Sequence, residues 1–256
     1  MSSRVKIASV SYLNSVPFRY GIESSKLIDA ESILATPSEC AEMFANGEVD
    51  IALIPTAAIK RITPQPRIIT SHCIGATGAV RTVVLLSDDP IDEIERIWLD
   101  TDSQTSIQLC AQLCANRFGI APQWHRLSDM NRLQHPKDGD AFLLIGDKVF
   151  AHEDEFEYSH DLAEEYIAHT GMPFVFAAWC AQPELSEEVE EDLEEALTWG
   201  VEHTYEAMVA LRPDIEVEAG YHYLTENIDT MLDSSKRAAM EQFWGSEVKI
   251  NITEEV

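Results

Sequence analysis

Apolar segments rich in β-branched residues alternate with segments of helical period along this 256-residue chain, and no other feature restricts the fold as much. Strands are predicted at residues 5–10, 32–35, 51–54, 67–71, 80–86, 97–99, 123–127 and 141–145. Helices are predicted at 37–46 and 103–118, and from 186 to about 244 the pattern is helical. The first of these helices carries its own boundary marks. Thr36-Pro37-Ser38-Glu39 fits a capping box with proline in the first turn, and Gly47 closes the helix. Such alternation predicts an α/β protein with parallel sheets.

Two extended runs divide the pattern. AVRTVVLLS (79–87) follows the small-residue stretch GATG, and MPFVFAAW (172–179) leads into the helical tail. Crossings at these points predict two lobes with a ligand cleft between them. The first lobe is discontinuous, residues 1–80 and 178–256, and the second, 81–177, is inserted. A single doubly wound sheet is the alternative, and 256 residues suffice for either.

Charge narrows the partners. Forty-five acids against eighteen bases give a net charge of −27, and only seven of the bases are lysines. A chain of this charge repels nucleic acid and anionic membranes, and an acid-rich, lysine-poor surface suggests a halophilic source. The densest run, ELSEEVEEDLEE (184–195), reads as the solvated face of a helix whose buried stripe is Val189, Leu193, Leu197 and Val201. No apolar run approaches the ~18 residues of a membrane span. The N-terminus has no apolar core followed by a small-residue cleavage site, so a cytoplasmic protein is expected. The five cysteines form no CxxC pair, the eight histidines are scattered, and HEDEFEYSH (152–160) lacks HExxH spacing, so no metal site is predicted.

Polar residues at strand ends are the candidates for chemistry. The apolar run VKIASV ends in Ser11, Tyr12, Asn14 and Ser15, followed by Pro17. Asn and Ser make turns with their own backbone, and Pro fixes φ, so a turn explains this knot without any ligand. A strand end facing a ligand is the other reading. Ser103, Thr105 and Ser106 open a predicted helix, where they either cap it or help its free N–H groups hold an anion. Asp147 ends the strand LLIGD after Gly146, placed either to take a proton or to orient a donor.

Taken in order, SYLNSVP (11–17), GEVDIALIP (47–55), LDTDSQTS (99–106), LLIGD (143–147) and TGMPFVFAAW (170–179) resemble chorismate dehydratases. These enzymes open the futalosine route to menaquinone, and their fold is similar to type II periplasmic binding proteins. The resemblance runs from residue 5 to about 180, and the acidic tail matches loosely. It implies a two-lobed α/β fold and a carbon–oxygen lyase. Its reaction would be loss of water from chorismate to give 3-[(1-carboxyvinyl)oxy]benzoate, with no cofactor because aromatisation drives it.

The implied site comprises Asn14 and Asp147 as catalytic candidates, with Ser11, Pro55, Thr56, Thr82, Ser103, Thr105, Ser106 and Gly146 around the substrate. A substrate carboxylate is an alternative base, since Asp147 beside a dianion would resist ionisation. Two positions depart from the family pattern: Gln104 stands where an arginine is usual, and Thr82 where a serine is usual. Other expectations are a non-catalytic binding protein for a small carboxylate, or the sister 1,4-dihydroxy-6-naphthoate synthase. Nothing in the residues fixes the oligomeric state.

Overall fold

A computed structural model describes residues 4–253 and contains two six-stranded sheets flanked by helices. The first sheet has the order β2 (Ala30–Ala35), β1 (Val5–Val10), β3 (Ile51–Pro55), β10 (Phe174–Ala181), β4 (Arg67–Ala76), β11 (Asp229–Met231). The second has the order β12 (Ile252–Thr253), β7 (Gln123–Arg126), β6 (Arg96–Leu99), β8 (Asp140–Ile145), β5 (Val83–Ser87), β9 (Tyr158–Asp161).

The pairing corrects the all-parallel expectation. Strand β1 is parallel to β2 and β3, and β6 is parallel to β7 and β8. Strand β10, however, runs antiparallel to β3 and β4, and β5 runs antiparallel to β8 and β9. Strand β11 also runs antiparallel to β4, while β5 and β10 lie in the runs that cross between sheets. Every residue of β5 and β10 is buried, and a strand covered on both faces reads as continuous apolar sequence whichever way its neighbours run. Sheet membership also departs from the expected lobe limits in two places. All of β10 belongs to the first sheet, and the C-terminal β12 adds to the second.

The helix 37–45 (α2) follows its marks. Thr36 Oγ1 accepts from Glu39 N–H while the Glu39 carboxylate accepts from Thr36 N–H, with Pro37 in the first turn. The acidic run lies on α6 (Glu187–Glu202), which buries Leu193, Ala196, Leu197 and Gly200, with Val189 and Val201 half-buried beside them. Three helices were not foreseen near the strand ends: α1 (Val16–Ser24), the short α3 (Thr56–Ile59) and α5 (Leu162–Thr170). Among the described residues no helix is long and apolar enough to cross a membrane.

Helices α1 and α6 meet backbone to backbone. A β-carbon on Gly21 would lie 2.0 Å from the Ala196 carbonyl oxygen, and one on Gly200 would lie 2.1 Å from that of Pro17. These glycines set how deeply the tail helix seats against the turn that follows β1. Overpacking a well-filled contact costs ~1–3 kcal/mol or more, and backbone on both sides leaves little room for relief. Gly200→Ala is therefore expected to lower the thermal midpoint by several degrees, whereas Gly47→Ala, whose β-carbon would meet nothing within 4 Å, carries only the strain of its left-handed φ. Paired melting curves check this; equal or smaller losses at Gly200 would contradict the packing.

Candidate active site

The carboxyl ends of β1 and β3 converge on the second sheet around a cleft of about 470 Å³, its open mouth included. Its apolar walls include Val10, Ile74 and Phe176 from the first sheet and Val83 and Ile145 from the second. Its polar side chains are Tyr12, Asn14, Thr82, Ser103 and Ser106. The lining includes no carboxylate, imidazole, amine or guanidinium.

Asn14 sits in a single 3-10 turn, Leu13–Ser15, between β1 and α1. The turn reading is correct as local structure, but it does not use the side chain. The turn is held instead by Ser15, whose hydroxyl reaches back to the Tyr12 and Val10 carbonyls. The Asn14 Oδ1 is buried, lies on the cleft and has no hydrogen-bond partner among the described residues. A buried polar atom without a partner costs ~1–3 kcal/mol, so its retention points to a group supplied from the cleft.

Across the cleft, α4 (Gln104–Leu113) presents its N-terminus. Ser103 caps it by accepting from Ser106 N–H, and the Ser106 hydroxyl donates to Ser103 Oγ at 3.2 Å. Both line the cleft. The cap takes up only the Ser106 N–H among the first-turn groups, so capping and anion binding at this terminus are compatible.

Thr105 and Thr56 do something else. Thr105 Oγ1 accepts from the Ala57 N–H at 3.0 Å, tying α4 to the segment after β3. The Thr56 hydroxyl donates to the Val175 carbonyl at 2.7 Å, and its own carbonyl accepts from Trp244 Nε1. Both are fully buried and neither lines the cleft. Ser11 is exposed, and its N–H continues the sheet by donating to the Ala35 carbonyl. Pro55 does form part of the wall.

Gly146 and Asp147 grip the end of β1. Gly146 has a φ of 71°, and a β-carbon there would lie 2.9 Å from the Tyr12 ring. Asp147 does not line the cleft. Both of its carboxylate oxygens accept from Leu13 N–H, at 2.9 and 3.0 Å, and it faces a separate cavity beside Phe150 and Ile215. Burial pushes its pKa up, and the Leu13 bond partly opposes that. The geometry thus sets Asp147 behind the residue preceding Asn14, rather than in front of a ligand.

Tyr12, Asp102 and Lys148 were not singled out from sequence. The Tyr12 hydroxyl donates to Asp102 Oδ2 at 3.1 Å. Lys148 Nζ pairs with Asp100 at 2.6 Å and Asp102 at 3.1 Å, so this ammonium is committed to carboxylates. Burial, reinforced by Asp102 and Asp100, raises the Tyr12 pKa and keeps it protonated. The one available signal was position, since Tyr12 stands between Ser11 and Asn14. Gln104 lies outside the cleft lining and accepts from Arg61, which also pairs with Glu247. Among the described residues no three His, Cys, Asp or Glu side chains are grouped to hold a metal ion.

Two mixed sheets joined by paired crossings, with a cleft at the strand ends, define a periplasmic-binding-protein-like fold. A solved protein of Archaeoglobus fulgidus matches 96% of this chain and 97% of its own with a TM-score of 0.75 at 15% identity. A Candida albicans protein, described as having the generic periplasmic binding protein fold, matches 97% of this chain and 92% of its own (TM-score 0.65, 13% identity). The periplasmic aliphatic sulphonate binding protein of Escherichia coli matches 98% of this chain and 94% of its own (TM-score 0.61, 11% identity). Within that class the chain belongs to the menaquinone biosynthesis family, whose model matches residues 5–247. A curated relative, the chorismate dehydratase of Thermus thermophilus, is 25% identical over 168 residues, 59% of this chain and 60% of that protein. The aligned stretch thus spans less than two thirds of the relative's length.

Thr105 and Ser106 now separate. Thr105→Val leaves the buried Ala57 N–H unpaired and is expected to cost about 1–3 kcal/mol of stability. Ser106→Ala, whose backbone cap remains, is expected to cost under ~1 kcal/mol. Urea titration of both variants checks the order, and a larger loss at Ser106 would contradict it.

Proposed function

We propose that the chain is a chorismate dehydratase that binds the substrate dianion between the two sheets acting as lobes, and that it works in the cytoplasm. The observation that carries this reading is the Asn14 Oδ1, buried and unpartnered among the described residues, in a cleft lined by neutral hydrogen-bond groups. Membership of the menaquinone biosynthesis family and the T. thermophilus relative support the choice of substrate.

In this reading Ser103, Ser106 and the N-terminus of α4 hold one carboxylate, with helix N–H groups in place of a cation. A neutral lining matters in a chain of net charge −27, because local donors must replace the attraction that the whole-molecule field denies. Loss of water removes a ring proton and the ring hydroxyl, leaving the aromatic ether and one water. The Thr82 hydroxyl and the Asn14 amide are the donors available to the departing hydroxyl. The base is a carboxylate of the substrate itself, since Tyr12 is the one titratable side chain of the lining and is held protonated. Asp147 supports Asn14 through Leu13 and takes no proton.

A binding protein of this fold would return chorismate unchanged, whereas the enzyme releases an aromatic product detectable by absorbance and mass. Asn14→Asp gives the sharper result. It keeps the size of the side chain but sets an anion against the dianion. Two like charges ~4 Å apart repel by ~4 kcal/mol at an effective dielectric of 20, about a thousandfold in rate. The variant is expected to stay folded, to lose about that much kcat/KM at pH 8, and to recover part of it near pH 6 as the new carboxyl takes up a proton. Wild-type kcat/KM at pH 8 in a folded variant would contradict the proposal.

A further inference from the structure

Thr82 is held from three directions. Arg81 before it has a φ of 66°, a left-handed conformation rare outside glycine, Asn and Asp, and its N–H donates to Asp161 Oδ2 at 2.5 Å. Asp161 in turn caps α5 by accepting from Ala163 and Glu164 N–H. The Thr82 carbonyl accepts from Gly146 N–H at 2.9 Å. Its hydroxyl lies 2.8 Å from the hydroxyl of Tyr223. Strained backbone kept in place by side-chain and backbone hydrogen bonds marks positions whose orientation matters.

Tyr223 comes from α8 (Val217–Glu226), in the helical tail, 141 residues along the chain from Thr82. It is 1% exposed, with its ring against the edge of Phe150 at 5.3 Å. Among the described residues its hydroxyl makes this one hydrogen bond. If it only accepted, its proton would be buried without an acceptor, so Tyr223 donates and Thr82 accepts. The Thr82 hydroxyl then keeps its own proton free for the cleft it lines.

We propose that Tyr223 is a positioning residue that orients the Thr82 hydroxyl as a donor to the substrate's departing oxygen. This rests on the chorismate reading given above. Tyr223→Phe removes one oxygen and retains the ring packing. It is expected to lower kcat/KM for chorismate about three- to tenfold, mainly in kcat, with the thermal midpoint little changed. In a Thr82→Val background the same change is expected to have no further effect, because the hydroxyl it serves is gone. Thr82→Ser, which keeps that hydroxyl, is expected to stay within about threefold of wild type while Tyr223 is present.

Wild-type kcat/KM in Tyr223→Phe, or equal fold losses from Tyr223→Phe with and without the Thr82 hydroxyl, would overturn the inference alone. Failure of the unmodified protein to turn over chorismate would overturn the reading beneath it as well.

Discussion

The site depends on a contact that crowds any side chain at residue 146. Gly146 turns into the left-handed region where the Tyr12 ring occupies the space of a β-carbon, and its N–H fixes the Thr82 carbonyl. Three other contacts across the same seam reinforce it: Tyr12 to Asp102, Leu13 to Asp147, and Ala57 to Thr105. Each joins a strand end of the first sheet to the second. Together they hold the Asn14 turn opposite the N-terminus of α4.

That seam bears on how a strongly acidic protein would hold the anion proposed as its substrate. The cations behind the cleft are committed to other protein groups. Lys148 pairs with both Asp100 and Asp102, which leaves one negative charge over, while Arg61 is bound to Glu247 and Gln104. What remains on the cleft is a set of neutral donors and a helix terminus, preorganised by the packing behind them. Their strength comes from orientation and from low local polarity rather than from net charge.

Local features of this arrangement were legible in the residues, and long-range ones were not. The α2 capping box is a four-residue pattern with a local cause, and it reads directly as helix start. The polar knot after VKIASV marked the strand end that carries Asn14. Motif membership, however, does not say where a side chain points. Thr105 belongs to the same motif as Ser106, and Thr56 directly follows the motif that ends in Pro55, yet both bond backbone outside the cleft. Asp147 lies in the 3-10 turn after β8 and accepts from Leu13 N–H outside the cleft lining. The partners that set these directions are distant in the chain: Tyr12 and Asp102 are 90 residues apart, Thr82 and Tyr223 are 141 apart. No local period records such pairs.

The central claim is that neutral groups on the two facing sheets hold a dicarboxylate. A crystal structure with 3-[(1-carboxyvinyl)oxy]benzoate bound tests it most directly. The account places one carboxylate within hydrogen-bond distance of Ser103, Ser106 or the first-turn N–H groups of α4, with the Asn14 amide against the ligand. Ligand density in the cavity beside Asp147, Phe150 and Ile215, or a carboxylate neutralised by Arg or Lys with Asn14 still unpartnered, would contradict it.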